Sequence, residues 1–225
     1  MAAPSFRLLL ITDRKAVPSS NDAPEAVLPD TISRALEGAP KGSVAVMLRE
    51  KDLPAKDLIR LVEIMADVTT AVEAPLLVND RVDVALACHA CGVHLPSSGL
   101  PPRQARDLLG DDALIGVSTH GLEEARAAAA GGADYVTFGP LYDTPSKRPY
   151  GPPVGIPALT EVTEALPRPI PVYGLGGVTP ERTPEVISAG AAGVACIRAV
   201  LAASDPAEAV HSFLKACPTA RTVST

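Results

Sequence analysis

The feature that most constrains the fold is a regular alternation of short apolar runs with helix-like segments. Eight runs have strand length, at residues 7–13, 43–51, 74–80, 92–96, 113–120, 133–140, 169–177 and 193–200. Several are apolar throughout, which is typical of parallel strands covered on both faces. Eight units in this chain average about 28 residues each, a period that predicts an α/β fold, a closed (β/α)8 TIM barrel of parallel strands. A doubly wound open sheet is the alternative, but it usually has fewer repeats.

The intervening segments carry helix signals, with Pro or acidic residues in the first turn and Gly near the end. The clearer ones are residues 53–72, 81–91, 101–110, 122–132, 156–166, 179–190 and 205–217. The connection between the first two strands is rich in proline, and we predict a helix there only from Pro29 onward. No linker divides the chain. We therefore expect one domain over residues 1–225, with the barrel at about 7–217 and a disordered polar tail at 218–225.

Composition narrows the class of partner. The net charge is −6 and no basic cluster is present, which argues against binding to nucleic acid. No apolar run reaches membrane-spanning length, and the run near the N-terminus is too short for a signal peptide. Four cysteines in 225 residues fit free thiols in a reducing compartment. We expect a cytoplasmic protein whose partners are phosphorylated small molecules, without membrane contact and with a homo-oligomer as an option.

Polar residues cluster where the predicted strands end, which is where TIM-barrel enzymes build their active sites. These residues are Arg49, Lys51, Asn79, Asp80, Ser118, His120, Thr144, Ser146, Lys147, Gly177 and Arg198. Cations, an amide and hydroxyls around one cavity suit a diphosphate. Asp80 fits such a site if Mg²⁺ bridges its carboxylate to phosphate oxygens. Glycines after the seventh strand, such as Gly177, allow backbone N–H groups to approach a second anion.

Each of these features also has an ordinary structural interpretation. Asn79 or Asp80 can be the N-cap of the next helix, and the charges around Arg49 can be a solvated run. The placement of all these polar residues at one end of the predicted strands favours a diphosphate-binding site. The sequence CHAC at 88–91 has a metal-like spacing, but a single pair is a weak zinc signal, and we interpret Cys88 and Cys91 as small packing residues.

Several motifs together resemble one known superfamily. LREK (48–51), LLVNDRVDVAL (76–86), GVHL (92–95), GVSTH (116–120), TPSK (144–147) and PVYGLGGVTPE (171–181) occur in the order found in thiamine phosphate synthases and thiazole tautomerases. The resemblance covers roughly residues 7–204. It implies a TIM barrel and, for the synthase branch, coupling of hydroxymethylpyrimidine diphosphate to a thiazole phosphate with release of pyrophosphate, through a pyrimidine-stabilised carbocation.

The resemblance also implies roles for individual residues. Arg49, Lys51 and Asn79 match diphosphate-binding positions, and Asp80 matches a Mg²⁺ ligand. Ser118 and Lys147 match residues on the diphosphate and pyrimidine side. The phosphate-gripping positions correspond to Thr144, Ser146 and Gly177. In the tautomerase branch a histidine that matches His120 acts on the substrate. We take Lys147, Ser118 and His120 as the candidate catalytic residues.

Three positions depart from the synthase pattern. Gly99 stands where the second aspartate ligand of Mg²⁺ belongs, Arg198 replaces a phosphate-binding serine, and Met47 replaces a glutamine. We expect the Arg198 guanidinium to point at the phosphate site after strands seven and eight, because it can bind phosphate with two hydrogen bonds. Three functions stay open: the synthase, which the retained diphosphate set favours narrowly, the tautomerase, and a non-catalytic barrel that binds a thiamine-related phosphate.

Overall fold

Eight parallel strands close into a barrel in the computed structural model, which describes residues 4–18, 24–144, 151–166 and 170–218. The strands are β1 (Leu8–Ile11), β2 (Val44–Leu48), β3 (Leu76–Asn79), β4 (Gly92–Leu95), β5 (Leu114–Thr119), β6 (Tyr135–Phe138), β7 (Val172–Leu175) and β8 (Gly193–Cys196). Each strand pairs with the next, and β8 pairs with β1. The predicted TIM barrel is confirmed, and the open-sheet alternative is wrong.

Helices connect the strands and surround the barrel. They are α1 (Pro24–Leu36), α2 (Ala55–Thr70), α3 (Val82–Ala87), α4 (Pro102–Leu109), α5 (Leu122–Ala130), α6 (Gly155–Ala165), α7 (Thr183–Ser188), α8 (Arg198–Leu201) and α9 (Pro206–Ala216). None of the helices in the described ranges combines the length and the apolar character needed to cross a membrane. The polar tail lies outside the described residues beyond position 218.

Alternate strand residues belong to two separate apolar cores. One set, such as Leu8, Leu10 and Val46, packs outward against the helices. The inward set fills the barrel, and its members are Phe6, Leu9, Ile11, Ala45, Met47, Leu77, Tyr135, Tyr173 and Ala195. This separation follows from the two-residue period of a strand. It also fixes which residues beyond each strand end continue toward the barrel axis.

Two boundaries differ from the sequence expectation. The first helix begins at Pro24 rather than Pro29, which lies inside it. Proline removes only one helical hydrogen bond near this N-terminus, and burial of Leu28 and Ile32 on the inner face outweighs that loss. The eighth strand ends at Cys196, so Arg198 lies at the start of the short helix α8 instead of on a strand. A short apolar run does not distinguish a strand from a buried helix by its pattern.

Candidate active site

Three predicted site residues lie at positions that continue the inward-facing alternation of their strands. Arg49 follows inward-facing Met47 by two positions, and Asn79 follows inward-facing Leu77 in the same way. Ser118 lies on β5 beside Thr137 of β6. All three side chains are half-buried at the carboxyl end of the strands. Strand periodicity therefore directs a cation, an amide and a hydroxyl into one barrel mouth.

A buried carboxylate separates the two predicted diphosphate-binding cations. Glu50 lies between Arg49 and Lys51 and is 5% exposed. It accepts hydrogen bonds from the Thr12 hydroxyl at 2.7 Å, from the Arg14 amide at 3.1 Å and from the Arg14 guanidinium at 3.0 Å. The Arg49 amide in turn donates to Thr12 Oγ1 at 2.9 Å. These contacts of Glu50 and Thr12 anchor the segment that carries Arg49 and Lys51.

Asp80 has the backbone conformation of a residue under constraint. Its φ angle is 65°, in the left-handed region, which costs a non-glycine residue about 1–3 kcal/mol and is enriched at functional sites. Its amide donates to the His94 carbonyl at 2.9 Å. Helix α3 has Arg81 as its N-cap and no side-chain capping bond, so the ordinary interpretation of Asn79 or Asp80 as a cap is wrong.

The Asp80 carboxylate is exposed and makes no hydrogen bond within the described residues. Asp80, Asn79 and Lys51 line a cleft of about 240 Å³ between the loops that follow β2 and β3. A carboxylate, an amide and an ammonium group thus face the same space. These are the groups that the sequence assigned to a diphosphate and its metal ion.

Ser118 is the outer end of a hydrogen-bond chain that passes into the barrel. His94 Nε2 lies 2.9 Å from Ser118 Oγ, and His94 Nδ1 lies 2.9 Å from the Tyr135 hydroxyl. His94 is 1% exposed, and this burial lowers its pKa from 6.5 to about 3, so the ring is neutral at physiological pH. Burial likewise raises the pKa of Tyr135 well above its usual value, which keeps its hydroxyl protonated.

Sequence reasoning noted His94 only as the polar residue at the end of the fourth strand and assigned no role to it or to Tyr135. The available signal was a histidine inside the otherwise apolar strand GVHL, since a buried imidazole requires hydrogen-bond partners. The identity of those partners was not readable from the sequence because they come from β5 and β6.

His120 lies one residue beyond β5 and is exposed. Its backbone amide donates to Glu124 Oε2 at 2.8 Å, and its Nδ1 lies 3.1 Å from the same oxygen. The ring is therefore held at the start of α5 by a carboxylate of that helix. The structure places His120 at the same end of the barrel as Ser118, with its ring restrained by an acidic partner.

The loops after β6 and β7 pack closely against each other. Gly177 has φ +66°, and a Cβ atom there would lie 2.9 Å from Tyr142 Cβ and 3.3 Å from Thr144 Oγ1. Arg182, which sequence reasoning missed, donates from Nη1 to the Gly177 carbonyl at 2.7 Å and stacks 4.4 Å from the centre of the Tyr142 ring. Thr144 and Gly177 are thus brought together in a braced pair of loops.

For three other predicted anion-binding residues, Ser146, Lys147 and Arg198, the expected role stays a prediction. Ser146 and Lys147 lie outside the described residues. Arg198 is exposed at the first position of α8, at the carboxyl end of β8, and its guanidinium forms no hydrogen bond or ion pair with the described part of the chain. Its expected direction toward a phosphate stays a prediction.

The loop after β4 does not provide a second metal ligand. A Cβ atom at Gly99 would lie 2.9 Å from both Cγ and Cδ of Pro96, so this loop conformation leaves no room for an aspartate. The described ranges contain no group of three or more His, Cys, Asp or Glu residues that could hold a metal ion. A metal at Asp80 would therefore need ligands from the substrate and from water.

The two cysteines with metal-like spacing lie between the end of α3 and the start of β4. Cys88 is the C-cap of α3 and is half-buried, whereas Cys91 directly precedes β4 and is exposed. The interpretation as a packing residue is therefore wrong for Cys91, because the chain turns between the two thiols and leaves the second at the surface.

Comparison with known proteins identifies the family. The model of the thiamine monophosphate synthase family matches residues 8–200. This chain belongs to the thiamine monophosphate synthase family. A putative thiamine-phosphate synthase of Geobacter sulfurreducens is 48% identical over 97% of both chains. The thiamine-phosphate synthase of Roseiflexus castenholzii is 44% identical over 91% of this chain and 85% of its own.

A solved structure agrees with this assignment. Thiamine phosphate pyrophosphorylase from Pyrococcus furiosus superimposes with a TM-score of 0.81 at 30% identity, over 95% of this chain and 96% of that one. The names of these relatives support the synthase branch of the predicted superfamily rather than the tautomerase or the non-catalytic alternative.

Proposed function

We propose that this member of the thiamine monophosphate synthase family joins hydroxymethylpyrimidine diphosphate to thiazole phosphate and releases pyrophosphate. The observation that carries the proposal is that Arg49, Asn79 and Ser118 continue the inward-facing alternation of their strands. This alternation directs all three toward the barrel interior at its carboxyl end. This is the end at which TIM-barrel enzymes bind their substrates.

The reaction requires stabilisation of a leaving group. The C–O bond between the pyrimidine methylene and the diphosphate breaks, both electrons leave with the diphosphate, and the thiazole nitrogen donates its lone pair to the resulting carbocation. Arg49, Lys51 and Asn79 hold the departing diphosphate through charge-assisted hydrogen bonds, and Lys147 adds a further cation. Ser118 hydrogen-bonds to the reacting side of the same substrate.

The residues at the cleft fit Mg²⁺ that arrives with the substrate. Asp80 offers a single exposed carboxylate beside Lys51 and Asn79, and Gly99 offers none. Mg²⁺ often binds through one or two carboxylates together with substrate phosphates and several waters. When bound, the ion would neutralise charge on the leaving diphosphate.

The second phosphate is assigned to the braced loops after β6 and β7. Thr144 supplies a hydroxyl group there, Gly177 allows a close approach to its backbone, and Arg198 supplies a cation from the start of α8. The resemblance assigns Ser146, which lies outside the described residues, to the same phosphate. The bracing by Arg182 supports this assignment, because a positioned binding loop loses less conformational entropy when the ligand binds.

One assay tests the function. Purified protein is incubated with both synthase substrates, with and without Mg²⁺, and thiamine phosphate and pyrophosphate are measured. We expect equal amounts of the two products, formed only with Mg²⁺. Absence of products would reject the synthase. Isomerisation of a thiazole carboxylate phosphate, lost in His120→Ala, would instead establish the tautomerase, and binding without turnover would establish the non-catalytic barrel.

We also propose that the protein works as one domain in the cytoplasm, without a nucleic-acid partner. The four cysteines are all unpaired, as is usual in a reducing compartment. The net charge of −6 disfavours binding to a polyanion. Association into a homo-oligomer stays a prediction that sedimentation or light scattering can test.

A further inference from the structure

A row of three side chains crosses the inside of the barrel from β6 to β5 by way of β4. Tyr135 of β6 reaches His94 of β4 by passing in front of Gly116 of β5, where an added Cβ atom would collide with the Tyr135 ring. Tyr135 and His94 are almost completely buried, whereas Ser118 is half-buried at the barrel mouth. The glycine therefore allows a contact between strands that are not neighbours.

The direction of the hydrogen bonds in this row follows from the need of the buried Tyr135 hydroxyl for an acceptor. Within the described residues, the Tyr135 hydroxyl has one hydrogen-bond partner, His94 Nδ1. If Nδ1 carried the proton, the Tyr135 hydrogen would be buried without an acceptor, which is costly. Tyr135 therefore donates to Nδ1, and the proton of the neutral ring resides on Nε2.

The Nε2–H group then has Ser118 as its nearest acceptor. Ser118 Oγ lies 2.9 Å from Nε2, whereas Thr137 Oγ1, beside it on β6, lies at 3.4 Å. A hydroxyl that accepts such a bond keeps its own hydrogen available. The Ser118 hydroxyl has no other hydrogen-bond partner in the described parts of the chain, so its hydrogen is available to a substrate.

We propose that Tyr135 and His94 are positioning residues that hold the Ser118 hydroxyl as a hydrogen-bond donor toward the substrate. The inference rests on the proposed function, because it takes Ser118 to contact the diphosphate substrate. It adds a direction to that contact: Ser118 donates to an oxygen or nitrogen acceptor and does not accept from the substrate.

The first test reads the His94 tautomer directly in the protein without substrate. Two-bond ¹H–¹⁵N correlations of uniformly labelled protein distinguish Nε2–H from Nδ1–H rings, and the spectrum of His94→Gln identifies the His94 signals among the four histidines. We expect Nε2–H at neutral pH in the parent, with Nδ1 unprotonated. An Nδ1–H tautomer, or a doubly protonated ring, would overturn the proposal.

The second test asks whether Tyr135 acts through Ser118. Ser118→Ala should lower kcat by about 10- to 100-fold, the range for loss of a hydrogen bond to a charged group, and Tyr135→Phe by about 3- to 10-fold. Adding Tyr135→Phe to Ser118→Ala should cause no further decrease, since the hydroxyl that Tyr135 positions is already absent. A double variant whose losses multiply would overturn the proposal.

Tyr173→Phe is the matched control. Tyr173 is also buried inside the barrel, but its hydroxyl donates to the Phe6 carbonyl at 2.8 Å, away from Ser118. It should lower the unfolding temperature and leave kcat unchanged. The two proposals fail separately: a parent without synthase activity rejects the function, whereas an active parent with Nδ1–H rejects only the positioning role.

Discussion

Replacing Glu50 by glutamine tests whether the buried carboxylate anchors the diphosphate-binding segment. Glu50 accepts from the Arg14 guanidinium at 3.0 Å and is 5% exposed, whereas a glutamine would present an amide NH₂ group to one of its donors. The change removes a charge-assisted hydrogen bond in a buried setting. Such a bond contributes about 1.5–3 kcal/mol. For a chain of this size the loss corresponds to a decrease in unfolding temperature of about 3–12 °C.

The functional consequence follows from the same contacts. Glu50 accepts from Thr12, and Thr12 accepts from the Arg49 amide at 2.9 Å. A weakened Glu50 anchor releases Arg49, so we expect KM for hydroxymethylpyrimidine diphosphate to rise several-fold while KM for thiazole phosphate stays constant. Steady-state kinetics with each substrate varied in turn, together with urea unfolding, measure both effects.

Asp52→Asn is the control for Glu50→Gln. Asp52 also pairs with Arg14, at 2.6 Å, but its side chain is 48% exposed. Hydrogen bonds from Arg14 and Lys15 hold its pKa well below the usual range. Solvent screens such a pair, so Asp52→Asn should change the stability little. If Glu50→Gln unfolds no more easily than Asp52→Asn, and KM is unchanged, the anchoring role is refuted.

Three further predictions concern pH, the loop glycine and the metal ligand. Burial lowers the pKa of His94 from 6.5 to about 3, so the unfolded state takes up a proton first as pH falls. The free energy of unfolding should therefore decrease by up to about 1.4 kcal/mol per pH unit between pH 6.5 and 3, and urea titrations should show this component absent in His94→Gln. Gly177→Ala places a Cβ atom 2.9 Å from Tyr142 Cβ at φ +66°, so calorimetry should show about 1–2 kcal/mol lost and kinetics a raised KM for thiazole phosphate; unchanged values would contradict the packing argument. Asp80→Ala should lower Mg²⁺-dependent turnover at least about 100-fold. The control Asp83→Ala, which removes a carboxylate paired with Arg81 at the surface, should leave turnover unchanged. Full activity of Asp80→Ala, or of the parent in EDTA, would remove Asp80 from the mechanism.

The alternation of apolar runs and helix signals was sufficient to predict the barrel. The reason is that βαβ units of this length can be arranged in few ways, and the apolar composition of each strand indicates that it is buried. The boundaries of helices and strands were less well predicted where a short apolar run fits both a strand and a helix. The helix at Arg198 and the start of α1 at Pro24 are the examples, since packing of Leu28 and Val200 against neighbours decides them.

The sequence by itself determined which chemical groups stand at the carboxyl ends of the strands. Arg49, Asn79, Asp80 and Ser118 were identified there because strand ends are local features, readable from the residues around them. The missing carboxylate at Gly99 was recognised only through the resemblance to the synthase motifs.

Only the tertiary structure decided which distant residues support those groups. The burial of Glu50 against Arg14, and the chain from Tyr135 through His94 to Ser118, join different strands. Such contacts depend on register around a closed barrel, where a shift of one residue would reverse the facing of every side chain on a strand. No local pattern encodes that register, because it is set jointly by all eight strands as they close around one core.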